Sequence, residues 1–574
     1  MSHADGGAAP GAVMVRQFRQ ILVWPLQLMP LPDGNHQDDA PARVASSPHW
    51  AEVADEFTGE PAEFQQRHYH EFVTFLPHVQ RFLYGDAKLR GAPVDTNESP
   101  IRVFRRRDVA QMRVTYHAGT APMTFAVTHA DLYFFHDIDV VVLAVEIHAN
   151  DVTLDLVQDT LFRFGRAYPP HWNDDGTPNS CLQKLEWLTG DGRVLAASDY
   201  EHKEKYLEFV CRYRSPCISS HWEFLLQPLV HYKSGESAPL AFRQLEYYRM
   251  PLMAYLALED PSVLTRADFV RLGLVAPAGE SEDLPYSGRH LLHFERDYCY
   301  DRYWTSSPSG PRTRYLCCGH ALTVIGDARD SYFVHNEYGV LAQFRHQQFL
   351  LFLIAHFHKA ALLMMSDRLV HDLNQLDVQS FESIKRFKRA VRQTFGEFLR
   401  FSHRYWFHDI ADQALVKDLF RMCSEHLGTE RLYREVREEI GDMSAYLDSD
   451  SLRRQSNMVV RLTVVTIFGL IGSVTTGFLG MNLIDATREP MTVKLSYFGL
   501  VALPVAVSVL YMVVRSKRLS DFIEALADER LSTGDKWGAF ARVLMTRGKW
   551  ASSLRVPAPD EAIVLHPNGK GTPV

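Results

Sequence analysis

The residues whose types suggest chemistry lie near the C-terminus, where Gly480-Met481-Asn482 ends an uncharged stretch. An asparagine side chain carries a carbonyl oxygen that accepts hydrogen bonds, including those from the water shell of a hydrated dication. No Asp or Glu lies between Ser456 and Ile484, so we do not expect a carboxylate cage for a dehydrated ion. Mg²⁺ keeps several of its waters when it binds. A ring of Asn482 side chains from several copies of the chain would therefore suit a hydrated divalent cation.

Small and hydroxylated residues recur at three-to-four spacing before Asn482, so they share one face of a helix. The candidate pore-lining residues are Leu462, Thr466, Gly469, Ser473, Thr476 and Gly477. This face has two interpretations, which the sequence leaves open. It is a pore wall of hydroxyls and exposed carbonyls, or a small-xxx-small surface on which two helices approach closely in lipid.

Two apolar segments, 462–479 and 495–514, must position these residues. They contain 18 and 20 residues without a charge, and about 20 such residues cross a bilayer as a helix. Only the 15 residues 480–494 separate them, which predicts a hairpin. Basic residues flank the hairpin on its outer ends and predict that both flanks are cytoplasmic. The first residues lack the features of a signal peptide, so we expect a multi-pass protein of the cell (inner) membrane with both termini cytoplasmic.

A proline-free stretch connects the first apolar segment to the preceding chain. It runs from Thr429, a plausible N-cap after Gly428, to Asn482. One helix over this stretch would be about 80 Å long at 1.5 Å per residue. Such a stalk, continuous with the first apolar segment, can transmit domain movement to the membrane.

Strand signals before the stalk predict an α/β domain with a mixed sheet. They include 20–28 and the very apolar 138–147, with helical patterns between the strands. The expected organisation is a disordered N-terminus at 1–14, a cytoplasmic α/β domain at 15–341, a cytoplasmic helical and stalk region at 342–457, a first transmembrane helix at 458–482, an external loop at 483–494, a second transmembrane helix at 495–514 and a cytoplasmic C-terminal tail at 515–574.

Composition and motifs exclude several classes of function. The net charge of −8 argues against a nucleic-acid partner. The seven cysteines are sparse, so we expect buried thiols, and Cys317-Cys318-Gly319-His320 lacks zinc-site spacing. Neither a nucleotide-binding motif nor a hydrolase motif is present. We expect a protein that is not an enzyme and has no resident cofactor.

The motif Phe478-Leu-Gly-Met-Asn482, preceded by Asn457-Met-Val-Val-Arg-Leu-Thr463, resembles the CorA superfamily of magnesium transporters. The resemblance covers about residues 430–519 and includes the stalk and both apolar segments. It implies a CorA-like homopentamer in the lipid bilayer that transports Mg²⁺, often with Co²⁺ or Ni²⁺. It also implies that Gly480, Met481 and Asn482 form the ion-selectivity loop.

The resemblance suggests further roles on both sides of the membrane. Outside, Asp485 and Glu489 would attract cations in place of the family's usual acidic element, although Arg488 and Lys494 offset them. Inside, stalk carboxylates would sense Mg²⁺ as a regulatory ligand, or they form an ordinary solvated helix face. These are Glu435, Glu439, Asp442, Asp448 and Asp450. A basic collar at the inner mouth would consist of Arg515, Lys517 and Arg518, which positive-inside anchoring explains equally well.

Two alternatives to magnesium transport remain. The first is a transporter of zinc or other transition metals from the same superfamily, whose members often have Ile where Met481 lies. The second is a cytoplasmic interaction module or enzyme that the hairpin only anchors. An anchor needs neither a hydroxyl-rich segment ending in Asn482 nor a proline-free stalk, and these features favour a channel-like transporter gated by the cytoplasmic domain.

Overall fold

The computed structural model describes residues 13–29, 40–53, 66–85, 100–233, 240–246, 249–279, 283–305, 310–377, 381–480, 490–493, 495–496, 499–500, 503–504 and 507. The chain divides into two compact units, Met1–Ser444 and Ala445–Val574. Of the expected disordered N-terminus at 1–14, Val13 and Met14 are described, and Met14 already belongs to a strand, so the predicted disorder is wrong there. The rest of that segment, most of the external loop and the C-terminal tail lie outside the described residues. The described residues of the second apolar segment are helical. The expected boundaries between domains stay predictions.

The strands are β1 Met14–Met29, β2 Trp50–Glu52, β3 Ile101–Arg106, β4 Gln111–Thr115, β5 Met123–Phe135, β6 Val140–Thr153, β7 Lys184–Leu188, β8 Val194–Ala197, β9 Leu229–His231, β10 Leu240–Gln244, β11 Leu252–Leu258, β12 Cys299–Tyr300, β13 Arg314–Cys317 and β14 Ala321–Asp327. The helices are α1 Ala40–Ala45, α2 Gln66–Thr74, α3 Pro77–Tyr84, α4 Leu154–Arg163, α5 Lys203–Tyr213, α6 Ser220–Leu226, α7 Arg266–Leu274, α8 Phe294–Tyr298, α9 Val340–Gln343, α10 Phe349–Asn374, α11 Phe381–Arg404, α12 Ala414–Leu427 and α13 Thr429–Gly480. A π-helical turn, Phe344–Gln348, joins α9 to α10.

All the strands belong to one sheet, whose main path runs β12-β13-β14-β11-β1-β6-β5-β4-β7-β8. Strands β2 and β3 extend it from β5, and β9 and β10 extend it from β1. Most neighbouring strands are antiparallel, but β11 pairs with β14, and β9 with β10, in parallel. This confirms the predicted α/β class with a mixed sheet.

The central strand β1 contains a proline, which cannot donate a ladder hydrogen bond. From Met14 to Gln27, β1 pairs with β6, and Pro25 lies opposite Val142. On its other side β1 pairs with β11 as far as Leu22 and with β10 from Leu26 onward. Pro25 therefore lies where the second neighbouring strand changes, so its missing N–H leaves no gap in the ladder.

The sheet has a hydrophobic core on each face, because strand β6, the neighbour of β1 in the middle of the sheet, is apolar from Val140 to Val145. Val141, Leu143 and Val145 of β6 belong to one core, and Val140 and Val142 belong to the other. A continuous apolar run is typical of a strand that is buried on both faces. The second core also contains α10, whose Phe357 ring stacks on Phe135 at 4.0 Å between ring centroids.

Among the described residues, one helix is long and apolar enough to cross a membrane by length and composition. This helix is Val340–Asn374, and 78% of its most apolar stretch of 18 residues is buried inside the structure. Most of its apolar side chains therefore pack against the protein itself. A shorter apolar helical stretch, Met458–Gly469, lies within α13.

The C-terminal part of the described chain is helical. Gly428 ends α12 in a left-handed conformation, with φ of 66°, and α13 begins at the next residue, as the proline-free stretch predicts. The helix continues for 52 residues to Gly480. Its first turns are fixed to the first unit, because Val436 and Ile440 are buried in the second core.

Candidate functional site

The candidate pore-lining residues all lie on α13, where the threonine hydroxyls bond back to the helix. Thr466 Oγ1 donates a hydrogen bond to the carbonyl of Leu462 at 2.8 Å. Thr476 Oγ1 lies 2.9 Å from the carbonyl of Gly472 and 3.1 Å from that of Ser473. Because the hydroxyl hydrogen is used within the helix, each oxygen keeps its lone pairs for an outside donor. The face therefore offers hydrogen-bond acceptors without charge.

In a single chain this face is open. A Cβ atom added to Gly469, Gly477 or Gly480 would meet nothing within 4 Å. Leu462 is 67% exposed, and Ser473 and Thr476 are exposed too. The structure thus places these residues along one helix, and the pore wall and the helix-packing surface both stay predictions.

Several predicted site residues lie outside the described part of the chain. Of the predicted selectivity loop, only Gly480 is described. The predicted site residues outside the described part are Met481 and Asn482 of that loop, the external acidic residues Asp485 and Glu489, and the basic collar residues Arg515, Lys517 and Arg518. Their predicted roles stay predictions.

Three of the five predicted stalk carboxylates lie on the solvated side of α13. Glu435, Glu439 and Asp442 are exposed, and Arg431 Nε donates to Glu435 Oε1 at 2.8 Å. Ser366 Oγ lies 3.5 Å from Glu439 Oε2. The side chains of the remaining two predicted residues, Asp448 and Asp450, lie outside the described part. Across the described residues, no group of three or more His, Cys, Asp or Glu side chains could hold a metal ion.

The Cys317–His320 segment forms the turn between β13 and β14. Gly319 takes a φ of 85° in this turn, and the Cys318 Sγ lies 3.4 Å from His320 Nδ1. Burial raises the pKa of the Cys318 thiol to about 12 and lowers the pKa of His320 to about 3. The pair is therefore a neutral thiol beside a neutral imidazole, as in a packed turn and not as in an activated nucleophile.

Sequence reasoning missed a buried charge network centred on Glu146. Its side chain is 1% exposed, and its carboxylate contacts Arg19 at 2.9 Å, Arg345 at 3.0 Å and His129 Nε2 at 2.9 Å. Burial raises the pKa of Glu146, but His129 above all, then Arg345 and Arg19, more than offset this and hold it at about 2. Arg345 belongs to the π-helical turn, so this carboxylate ties the turn before α10 to the sheet.

A second carboxylate completes the charge network. His129 Nδ1 lies 3.2 Å from Asp131 Oδ2, and Arg105 Nη2 lies 2.8 Å from the same oxygen. Burial lowers the pKa of His129, but the two carboxylates more than offset this and raise it to about 9. His129 is thus a cation between two anions. Because each carboxylate is already paired with cations, the network stabilises the fold instead of forming an open ligand site.

One sequence signal points to this network. Glu146 interrupts the apolar run of β6, and a buried carboxylate requires a cationic partner. Those partners are distant in sequence, with 127 residues to Arg19 and 199 to Arg345.

Comparisons of the chain with models of protein families, with curated proteins and with solved structures find no match.

Proposed function

We propose that this protein is a channel-like transporter of hydrated divalent cations, with Mg²⁺ as its main substrate. In this proposal α13 lines a pore at the centre of a CorA-like homo-oligomer, a pentamer by the family resemblance, in the cell (inner) membrane. The observation that carries it is the unbroken helix Thr429–Gly480. It joins a stalk fixed to the sheet domain to an open, uncharged hydroxyl face that ends at Gly480.

The chemistry of this face suits a hydrated ion. Water bound to Mg²⁺ presents its hydrogens outward, so a pore wall must accept hydrogen bonds. Thr466 and Thr476 keep hydroxyl lone pairs because their hydrogens bond to the helix carbonyls. The Asn482 carbonyl oxygens add a ring of acceptors at the mouth. The absence of carboxylates from the span keeps the ion from being trapped.

The membrane potential supplies the driving force for entry. An elementary charge gains about 2.3 kcal/mol per 100 mV, and a dication therefore gains about twice that. No coupled ion or nucleotide is needed for inward movement down this gradient. In the same proposal, Mg²⁺ bound by stalk carboxylates of neighbouring subunits holds the pore closed, and the collar of Arg515, Lys517 and Arg518 surrounds the inner mouth.

The test is Asn482→Ala, measured by Mg²⁺ uptake into proteoliposomes under an inside-negative potential. We expect uptake to fall at least tenfold, because the loss of a hydrogen-bonding group in a buried site costs about 1–3 kcal/mol. Ser496→Ala is the matched control, because Ser496 lies in the second apolar segment and its hydroxyl donates to the carbonyl of Thr492, four residues earlier. We expect this control to leave uptake unchanged.

The outcomes separate the competing functions. Equal uptake by Asn482→Ala and the parent protein, with the same oligomer size in detergent, would refute the pore. Uptake of Zn²⁺ but not of Mg²⁺ by the parent protein would favour the transition-metal alternative, and Met481→Ile would then be expected to raise it. A monomer that inserts in the bilayer and conducts no ion would favour the anchored interaction module or enzyme.

A further inference from the structure

Helix α11 is strongly basic in a chain whose net charge is −8. Its acidic residues are Glu382 and Glu397, and its basic residues are Lys385, Arg386, Lys388, Arg389, Arg392, Arg400 and Arg404. Glu397 is buried, and its carboxylate contacts Arg368 of α10 at 2.7 Å. The exposed surface of α11 is therefore more basic than its composition alone indicates.

The basic residues are not needed to hold α11 in place. Its apolar stripe, which includes Phe387, Val391, Phe398 and Phe401, is buried. The Phe398 ring also stacks on Tyr433 of α13, with 5.4 Å between ring centroids. At 100° per residue, Lys385, Arg389 and Arg392 lie on the opposite side of the helix. This outward side, with the flanking Arg386 and Arg400, is hereafter the basic face.

Few carboxylates of the same chain pair with the cations of the basic face. In the described part of the chain, Lys385, Arg386 and Arg392 form no ion pair. Arg389 lies 3.8 Å from Glu382, and Arg400 lies 3.8 Å from Asp137. These pairs involve exposed or half-exposed side chains, and such pairs contribute little. The face therefore keeps most of its positive charge for an outside partner.

Two apolar side chains lie beside these cations. Phe395 and Leu399 are each 40% exposed, one helical turn apart on α11. The helix surface beside them is open at Gly396. A Cβ atom added to Gly396 would meet only the end of the Arg400 side chain, at 3.8 Å. A basic helix surface with an exposed phenylalanine and leucine is typical of binding at a membrane surface.

We infer that the basic face of α11 docks on the anionic headgroups of a lipid bilayer, with Phe395 and Leu399 entering the interface. Each Lys or Arg near such a surface strengthens binding about fivefold. A second copy of the chain is a poorer partner for the basic face. Two basic faces repel each other, and the acidic side of α13, the alternative surface on a second copy, also carries Arg431 and Arg434. The inference rests on the proposed function only in placing the chain at a membrane.

The test is photocrosslinking of the full chain in nanodiscs, with benzoylphenylalanine in place of Phe395. We expect a lipid adduct whose yield rises at least fivefold when zwitterionic lipid is replaced by a mixture rich in anionic lipid. The yield should fall at high salt, because screening acts on exposed charges. The matched control places the same probe at Leu207 of α5, which is 49% exposed on a helix of nearly balanced charge.

Charge variants identify the cause of any adduct. We expect Lys385→Gln/Arg389→Gln/Arg392→Gln to reduce the adduct at position 395 to its level in zwitterionic lipid. Lys203→Gln/Arg212→Gln on α5 should change nothing. Adducts with a second copy instead of lipid, or a lipid adduct that is independent of anionic lipid and of the three charges, would overturn the inference.

Ion uptake keeps this result separate from the proposed function. Failure of the crosslink in a protein that inserts and transports Mg²⁺ would refute docking by α11 alone. A lipid adduct in a protein that inserts but transports no divalent cation would support docking and refute the transporter. A chain that does not insert in nanodiscs would contradict both.

Discussion

Replacing His129 by glutamine should remove a specific pH dependence of stability. His129 lies between the carboxylates of Glu146, at 2.9 Å, and Asp131, at 3.2 Å. These carboxylates raise its pKa from 6.5 to about 9 against the effect of burial. A glutamine side chain is similar in size but carries no charge, so the His129→Gln variant keeps a side chain there and loses the titrating group.

The sign and the size of this pH dependence of the unfolding free energy follow from the raised pKa of His129. The folded state holds the proton more tightly than the unfolded state, so the contribution is complete below pH 6.5. It decreases between pH 6.5 and 9 and is lost as the folded protein releases its proton above pH 9. At 1.36 kcal/mol per pKa unit, the shift corresponds to about 3 kcal/mol of unfolding free energy.

The assay is denaturant unfolding of the full chain in detergent, followed by tryptophan fluorescence at pH values from 6 to 10. We expect the parent protein to lose about 3 kcal/mol more than His129→Gln across this range. His148→Gln is the matched control, because His148 lies on neighbouring β6 and its pKa is lowered, first by burial and then by Arg19. This control should keep the parent slope above about pH 7.5, where His148 is neutral in both the folded and the unfolded protein. Parallel losses in the parent protein and in His129→Gln would refute the assignment of the network.

Two substitutions test the packing of the sheet. Gly165→Ala should cost about 1–3 kcal/mol, because Gly165 has a φ of 82° and an added Cβ would lie 2.7 Å from a leucine side chain. Gly190→Ala, whose added Cβ has its nearest neighbour at 3.9 Å, is the control for the same unfolding measurement. Phe357→Ala should cost about 3–5 kcal/mol, because the ring is fully buried and stacks on Phe135. In the same assay, Leu292→Ala, at a side chain that is 67% exposed, should cost less than about 0.5 kcal/mol.

Periodicity made the main elements predictable. The apolar run of 138–147 predicts a buried strand, and β6 is one of the two middle strands of the sheet, with a core on each face. The proline-free stretch from Thr429 predicts one long helix, and α13 runs from Thr429 to Gly480. Local patterns are sufficient here because hydrogen bonds within a helix, and alternation within a strand, depend on near neighbours.

The sequence could not reveal the pairings that join distant parts. A proline such as Pro25 is unexpected in a central strand, because it lacks the N–H that a ladder needs. In β1 it lies between the part that pairs with β11 and the part that pairs with β10. That strand order is a property of the whole sheet. The partners of Glu146 likewise come together only when β1, β6 and the π-helical turn are in place. Apolar composition alone also does not distinguish a core helix from a membrane helix, because Val340–Asn374 satisfies the membrane criterion and is mostly buried.

The exposed surface of α13 bears on whether a single chain is sufficient. Ile467, on another side of α13 from Leu462 and Thr466, is 49% exposed, and the glycines at 469 and 477 have open space above them. Exposed apolar side chains of this kind cost free energy in water unless lipid or protein covers them. Lipid can cover the large apolar side chains, but it leaves the hydroxyls of Thr466 and Thr476 without hydrogen-bond donors. Further copies around a water-filled axis would satisfy both surfaces, which is why oligomer size in detergent is the measurement on which the transport proposal most directly depends.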